Sequence, residues 1–301
     1  VTRVAAIDCG TNSIRLLVAD VAGGRLVDVR REMRIVRLGQ GVDETGVLAP
    51  EALDRTFAAL RDYAVLARGA DRVRMVATSA TRDAANSAEF VSGCTGILGV
   101  APDVVSGDAE ARLSFAGATG DLAAHDAPYV VCDLGGGSTE FVLGSGDVEA
   151  AVSVDVGCVR ITERRLHTDP PTTAEIGAAA ADIAEALDRA ATVVDVASAA
   201  TFVGLSGTVT TLAAIALGLA AYDPAAIHHS VLSAAQVEDV AARLLAMTHA
   251  ERAALPVMHP GRVDVIGGGA LVLREIVRRW AVPYVVVSEH DILDGIALSL
   301  A

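Results

Sequence analysis

Two short segments carry the same set of chemically useful residues. The first is Asp8-Cys9-Gly10-Thr11-Asn12-Ser13. The second is Asp133-Leu134-Gly135-Gly136-Gly137-Ser138, continued by Thr139 and Glu140. Each follows a run of small apolar residues, Val4–Ile7 or Tyr129–Cys132, and each leads into another apolar run. A strand that ends in Asp and reverses through glycine gathers several backbone N–H groups on one side. Such concavities bind anions, phosphate above all. Glycine is needed where φ is positive or where a phosphate oxygen must approach the main chain. Thr11, Asn12, Ser13, Ser138 and Thr139 add side-chain donors. Asp8 and Asp133 stand at the strand ends, where a carboxylate can hold Mg2+ directly or through water. A single D-x-G-x-x-S is more often a hairpin closed by an Asx turn. Three successive glycines, and a second copy 125 residues along the chain, weaken that reading.

Two further glycine-rich segments add to the pattern. Gly204-Leu205-Ser206-Gly207-Thr208-Val209-Thr210-Thr211 reads as a turn after a strand that opens a helix, and helix N-termini bind anions. Val265-Ile266-Gly267-Gly268-Gly269-Ala270 reads as a fourth turn. Either alone is an ordinary cap or turn; four in 301 residues argue for a polyanionic or nucleotide ligand. Asp108 and Glu110 both fall in the first turn of an expected helix. The helix dipole favours an acid there by about 0.3–1 kcal/mol, and a water-activating base would suit the same place, so spacing does not choose between them. Arg82 follows the hydroxyl-rich Ala77-Thr78-Ser79-Ala80-Thr81. Its planar fork can meet phosphate bidentately, or it can pair with Asp83. Arg15 is balanced between facing a ligand and pairing structurally. The seven histidines show no H-x-x-x-H spacing, and His228 and His229, as chain neighbours, are expected to face apart; all seven read as surface or polar-core residues. His259 stands ahead of the fourth glycine turn. Cys9, Cys94, Cys132 and Cys158 form no C-x-x-C pair and read as buried free thiols.

These residues need elements to position them. Apolar runs predict strands at Val4–Asp8, Ile14–Asp20, Leu26–Leu38, Val73–Thr78, Tyr129–Asp133, Thr139–Gly144, Val148–Val154 and Tyr284–Val287. Helical spacing predicts helices from Pro50 to about Arg68, at Ala84–Leu98, from near Asp108, and at Thr172–Val193, Gly207–Leu219, Ala234–Met247, Arg262–Arg279 and Asp291–Leu300. Strands alternating with helices imply an α/β protein. The chain restarts after the loop Gly120–Pro128, which points to a duplicated domain. The boundaries are placed at 1–124 and 125–301, with 291–301 expected to pack back on the first domain. The composition, 52% hydrophobic but only 3% aromatic, predicts a core of Ala, Val, Leu and Ile.

Charge narrows the function. Every one of the 24 basic residues is Arg, so a Walker-A lysine and a pyridoxal Schiff base are excluded. The net charge is −14. Residues 1–112 hold 14 Arg against 15 acids, whereas 113–301 hold 10 against 23. An acidic chain is not expected to bind nucleic acid. No apolar run approaches the ~20 residues of a membrane span, and Val1–Gly10 does not read as a secretory leader, so a cytoplasmic protein is expected.

The set D-x-G-T-N-S-x-R-L, A-T-S-A-x-R-D, S-G-x-x-E-A, D-L-G-G-G-S-T-E and G-x-S-G-T resembles the exopolyphosphatase/guanosine pentaphosphate phosphohydrolase (Ppx/GppA) family, within the acetate and sugar kinase/Hsp70/actin superfamily. The resemblance covers essentially the whole chain and matches the short form of the family. It implies two ribonuclease-H-like (actin-like ATPase) domains with an interdomain cleft whose closure excludes water. It implies Mg2+, a homodimer, and release of terminal phosphate from inorganic polyphosphate or guanosine pentaphosphate. Glu110 then matches the family's catalytic Glu, the base for the attacking water. Arg82 would grip the terminal phosphate. Asp133 and Glu140 would hold Mg2+, Glu140 alternatively sharing the work on water. Asp8, Gly10, Thr11, Asn12, Ser13, Gly135, Gly136, Gly137, Ser138, Thr139, Gly207 and Thr208 would line the phosphate sites. The chain departs from the family at Ile292-Leu293-Asp294-Gly295, where Leu-Arg-Glu-Gly is expected. The reading is an exopolyphosphatase. Its alternatives are a guanosine pentaphosphate 5′-phosphohydrolase with a guanosine pocket near Gly204–Thr211, or a non-hydrolytic sensor of polyphosphate or the nucleotide; an actin-like kinase ranks last.

Overall fold

A computed structural model describes all 301 residues. The chain divides into two compact units, Val1–Gly120 with Asp291–Ala301, and Asp121–His290. The division falls a few residues before the boundary set from sequence, and the final segment belongs to the first unit.

The first unit contains β1 (Thr2–Cys9), β2 (Ser13–Ala22), β3 (Arg25–Ile35), α1 (Val42–Thr45), α2 (Pro50–Leu66), β4 (Arg72–Ala77), α3 (Ser79–Asp83), α4 (Ser87–Leu98), β5 (Asp103–Val104) and α5 (Gly107–Thr119). Its sheet has the order β3-β2-β1-β4-β5. β1 to β3 run antiparallel, while β4 and β5 run parallel to β1. β1 is central and covered on both faces, which is why Val4–Ile7 is a continuous apolar run. Alternate residues serve two cores. Ala5, Ile7, Leu16 and Met75 pack with Leu53, Leu60 and Phe90 of α2 and α4. Val4, Ala6, Leu17 and Val76 face the other way.

Two expected elements differ here. The strand expected at Leu26–Leu38 ends at Ile35, because residues 36 to 39 turn to donate backbone hydrogen bonds to Thr11 and Asn12. The helix expected at Ala84–Leu98 starts only at Ser87. The Asn86 carboxamide accepts from Leu48 N (2.8 Å) and donates to Leu48 O (3.0 Å), which holds the preceding residues extended.

The second unit contains β6 (Tyr129–Leu134), β7 (Thr139–Gly144), β8 (Val148–Val154), α6 (Cys158–Arg165), α7 (Thr173–Ala191), β9 (Thr201–Leu205), α8 (Ser206–Ala216), α9 (Pro224–Ile227), β10 (Val231–Ser233), α10 (Ala234–Ala246), α11 (His249–Ala253), α12 (Ile266–Arg279) and β11 (Tyr284–Val287). Its sheet reads β8-β7-β6-β9-β11-β10. The antiparallel β6–β7–β8 run and the parallel β6–β9 pair repeat the first unit's arrangement. Both units are therefore mixed α/β sheets of ribonuclease-H-like order. The fourth glycine segment is not a turn: α12 begins at Ile266, so Gly267–Gly269 lie inside its first turns. There they permit close packing, since a Cβ on Gly268 would lie 2.4 Å from Thr162 Oγ1 and one on Gly269 2.5 Å from Thr208 Oγ1.

The chain then returns to the first unit as α13 (Ile292–Leu298). Ile292, Leu293, Ile296 and Ala297 close the core that begins with Val4 and Ala6. α13 crosses α5 so tightly that a Cβ on Gly295 would lie 1.9 Å from Leu113 O, and one on Gly117 1.9 Å from Asp291 O. No helix is long and apolar enough to cross a membrane.

Candidate active site

The two repeated turns are built alike. In the first unit, Gly10 N donates to Ser13 O at 3.0 Å and closes the β1–β2 hairpin. Thr11 O accepts from Gly39 N (2.8 Å), and Asn12 O accepts from Val36 N (3.0 Å) and Arg37 N (2.9 Å). In the second unit, Gly135 N donates to Ser138 O at 3.0 Å, closing β6–β7. Gly135 O accepts from Cys158 N, Gly136 O from Val159 N and Arg160 N, and Gly137 O from the Arg160 guanidinium at 2.7 Å. In a trans peptide the C=O and the following N–H point in opposite directions. Both turns therefore commit their carbonyls to a backing segment and aim the amides of Asn12 and Ser13, or of Gly136, Gly137 and Ser138, the other way. That is the geometry of an anion cradle. Gly157 is required for it, because a Cβ there would lie 2.5 Å from Gly136 O.

The residues across the two hairpins differ. Glu140 is the register partner of Asp133, so both carboxylates lie on one face of the sheet. Both are buried, and each is steered by a hydroxyl: Ser206 Oγ donates to Asp133, and Ser153 Oγ to Glu140 at 2.7 Å. Ser206 takes the left-handed φ of 72° that residues other than glycine rarely adopt, at the junction of β9 and α8. At the equivalent place in the first unit the partner of Asp8 is Arg15. Arg15 donates to Asp8 Oδ2 at 2.7 and 3.0 Å and also pairs with Asp291. Of its two readings the structural pairing holds, and Asp8, expected among the phosphate ligands, is engaged by a guanidinium.

Glu110 lies in the first turn of α5, whose N-cap Ser106 accepts from Ala109 N, and is buried. Asp108, two residues earlier, is instead exposed and pairs with Arg112. Arg82, at the end of α3, donates through Nη1 to Val105 O (2.9 Å) and to Glu110 Oε2 (3.2 Å). The structure thus brings Arg82 and Glu110 together, and the other edge of the Arg82 fork keeps its donors.

Four residues expected at the phosphate sites have other partners. The Thr139 hydroxyl donates to Val156 O at 2.6 Å and pins the end of β8. Gly207 lies under Arg262, whose Nη1 donates to Gly207 O (3.2 Å) and Thr211 Oγ1 (3.1 Å). Thr208 is buried against Gly269. Thr11 shares a buried hydrogen bond with Ser79 at 2.9 Å. Ser153 and Asp291 were missed from sequence, and Ser206 was singled out only within the Gly204–Thr211 turn, not as a partner of Asp133. Their only signal is strand pairing and chain return, which need the fold.

The four cysteines are free and buried, and burial raises each thiol's pKa, that of Cys94 to about 12. His259 caps a short turn, its Nδ1 accepting from Gly261 N. His228 and His229 do not face apart: their rings stack with centroids 3.8 Å apart.

A duplicated fold with an amide-lined turn and carboxylates in each half defines a phosphate-handling protein. The chain belongs to the Ppx/GppA phosphatase family, whose pattern matches residues 17–301. It is 56% identical to Exopolyphosphatase 2 of Mycobacterium tuberculosis over 315 residues, covering 100% of this chain and 99% of that protein. The crystal structure of an exopolyphosphatase-like protein is 44% identical, with a TM-score of 0.96 over 100% of this chain and 98% of that one. The PPX-GPPA enzyme of Aquifex aeolicus is 31% identical, with a TM-score of 0.82 over 99% of both chains.

Proposed function

We propose that this chain is an exopolyphosphatase that releases terminal orthophosphate from inorganic polyphosphate. The observation that carries the reading is the buried Asp133–Glu140 pair beside the Gly135–Ser138 turn. Two carboxylates on one face, next to amides suited to phosphate, call for a divalent cation that accompanies the substrate. The name borne by the 56% identical relative supports the substrate class.

The donor set fits Mg2+, which prefers oxygen ligands and one or two carboxylates plus substrate phosphates. Asp133 and Glu140 would hold the ion, which when bound would offset the negative charge of the substrate. Glu110 holds the attacking water and takes its proton on the carboxylate. Arg82, bonded to Glu110, fixes that carboxylate and turns its remaining donors toward the terminal phosphate. The amides of Gly136, Gly137 and Ser138 stabilise charge on the equatorial oxygens. The four unpaired, buried thiols fit a reducing, cytoplasmic setting.

The test is orthophosphate release from polyphosphate and from guanosine pentaphosphate, with and without Mg2+, for the native chain and Glu110→Gln. Mg2+-dependent release from polyphosphate that drops at least ~100-fold in the variant supports the reading. Preference for the nucleotide in competition transfers the activity to guanosine pentaphosphate. Binding without release from either leaves only a sensor.

A further inference from the structure

We propose that Asp121, His228 and His290 form a transition-metal site, separate from Asp133 and Glu140, for an ion of the Zn2+ type. Asp121 Oδ2 lies 2.9 Å from His228 Nε2 and 3.1 Å from His290 Nδ1. One ligand atom from each of the three residues lies within 4.8 Å of the other two. A tetrahedral ion with bonds of ~2.0–2.1 Å holds its ligand atoms about 3.3 Å apart, so the three donors already stand at near-coordinating separations.

The donor chemistry selects the ion. Two imidazoles and one carboxylate suit Zn2+, Co2+, Ni2+ or Cu2+, whereas Mg2+ prefers oxygen throughout. Three protein ligands leave a position for water, and the site is partly open to solvent.

The surroundings hold the residues in place. His228 caps the C-terminus of α9, and His229 has a left-handed φ of 61°, unusual for a residue other than glycine. His229 N donates to Val287 O at 2.7 Å, and Val287 N to Ser230 O at 2.9 Å, which ties this turn to β11 just before His290. The His228 ring stacks on His229 and lies 4.5 Å from His290, centroid to centroid. One contact has to change on binding. Glu289 N donates to His228 Nδ1 at 3.2 Å, so without metal the proton sits on Nε2 and points at Asp121. A metal on Nε2 puts the proton on Nδ1, and Glu289 N–H must turn away. Asp121 and His290 are the first and last residues of the second unit, so a bound ion would clamp its two ends.

The test is titration of the chelator-stripped, full-length chain with Co2+, followed by visible absorption and by bound-metal analysis. One equivalent taken up with a four- or five-coordinate spectrum, together with a higher melting temperature, is the expected result. His228→Gln and His290→Gln should each weaken uptake by more than the ~10–100-fold typical of lost supporting contacts. His125→Gln should leave uptake unchanged. A spectrum like that of hexaaqua Co2+ overturns the proposal, even where a variant fails to fold. So does uptake undiminished in both histidine variants, or uptake abolished by Glu140→Gln. None of these readouts involves phosphate release, so the proposal stands or falls apart from the catalytic reading.

Discussion

Asp8 and Asp133 occupy equivalent strand ends, and the residue across each hairpin determines the chemistry of each. Arg15 neutralises the first; Glu140 doubles the charge of the second. The hydroxyls that steer the second pair should matter to metal binding. Ser206→Ala and Ser153→Ala are each expected to raise the Mg2+ concentration for half-maximal phosphate release by about 10-fold, the lower range for supporting contacts of metal ligands. A Mg2+ titration of both variants checks this. Arg15 has a structural task, holding Asp8 and Asp291 together. Arg15→Ala leaves two buried carboxylates without their cation and is expected to destabilise the fold by about 3–5 kcal/mol, measured by urea unfolding. The turns were legible in sequence because each sits in a short local pattern, whereas Arg82, Glu110 and the Asp133–Glu140 pair were singled out by the family resemblance, since local spacing left Glu110 level with Asp108. Ser153, the bond from Ser206 to Asp133 and the histidine cluster were not legible, because these residues meet their partners through strands and loops distant in the chain.

At the scale of elements, α5 carries Glu110 and is positioned by α13. The two helices meet at Gly117 and Gly295, where any Cβ would overlap backbone oxygen. Gly295→Ala is expected to cost about 3 kcal/mol or more, since backbone rather than a flexible side chain must move. Phosphate release should fall with the melting temperature, because the helix that bears Glu110 shifts. The sequence reading placed α13 against the first domain but gave no sign that it crosses α5. The start of α7 gives a pH dependence. Thr172 and Glu175 form a capping box, and hydrogen bonds from Thr168 and Thr172 lower the Glu175 pKa to about 2. A lowered folded-state pKa adds stability above the unfolded value of about 4.3. That increment fades as pH falls from there through about 2. The difference in melting temperature between native chain and Glu175→Gln should therefore be full at neutral pH and shrink in acid.

At the scale of the whole molecule, the chain is one sheet plan used twice with one charge reversed. Glu140→Arg would copy the Asp8–Arg15 arrangement into the second unit. It is expected to fold, judged by circular dichroism, and to lose Mg2+-dependent phosphate release by at least ~100-fold with no recovery at high Mg2+. Glu140→Gln, which keeps an oxygen donor, should recover in part. The repeat was legible because both copies keep the Asp-x-Gly turn. The reversal was also in the sequence, at Arg15 and Glu140, but its meaning depends on the hairpin register.

The return of α13 to the first unit bears on how the protein is made. Residues up to Gly120 leave the ribosome first, yet the core around Val4, Ala6 and Leu17 lacks Ile292, Leu293 and Ile296. Synthesis of the intervening segment of about 170 residues takes roughly 10–30 s at typical elongation rates. For that time an apolar face of the nascent first unit is uncovered, a natural landing place for a chaperone. The half of the protein that is born first is the half that finishes folding last.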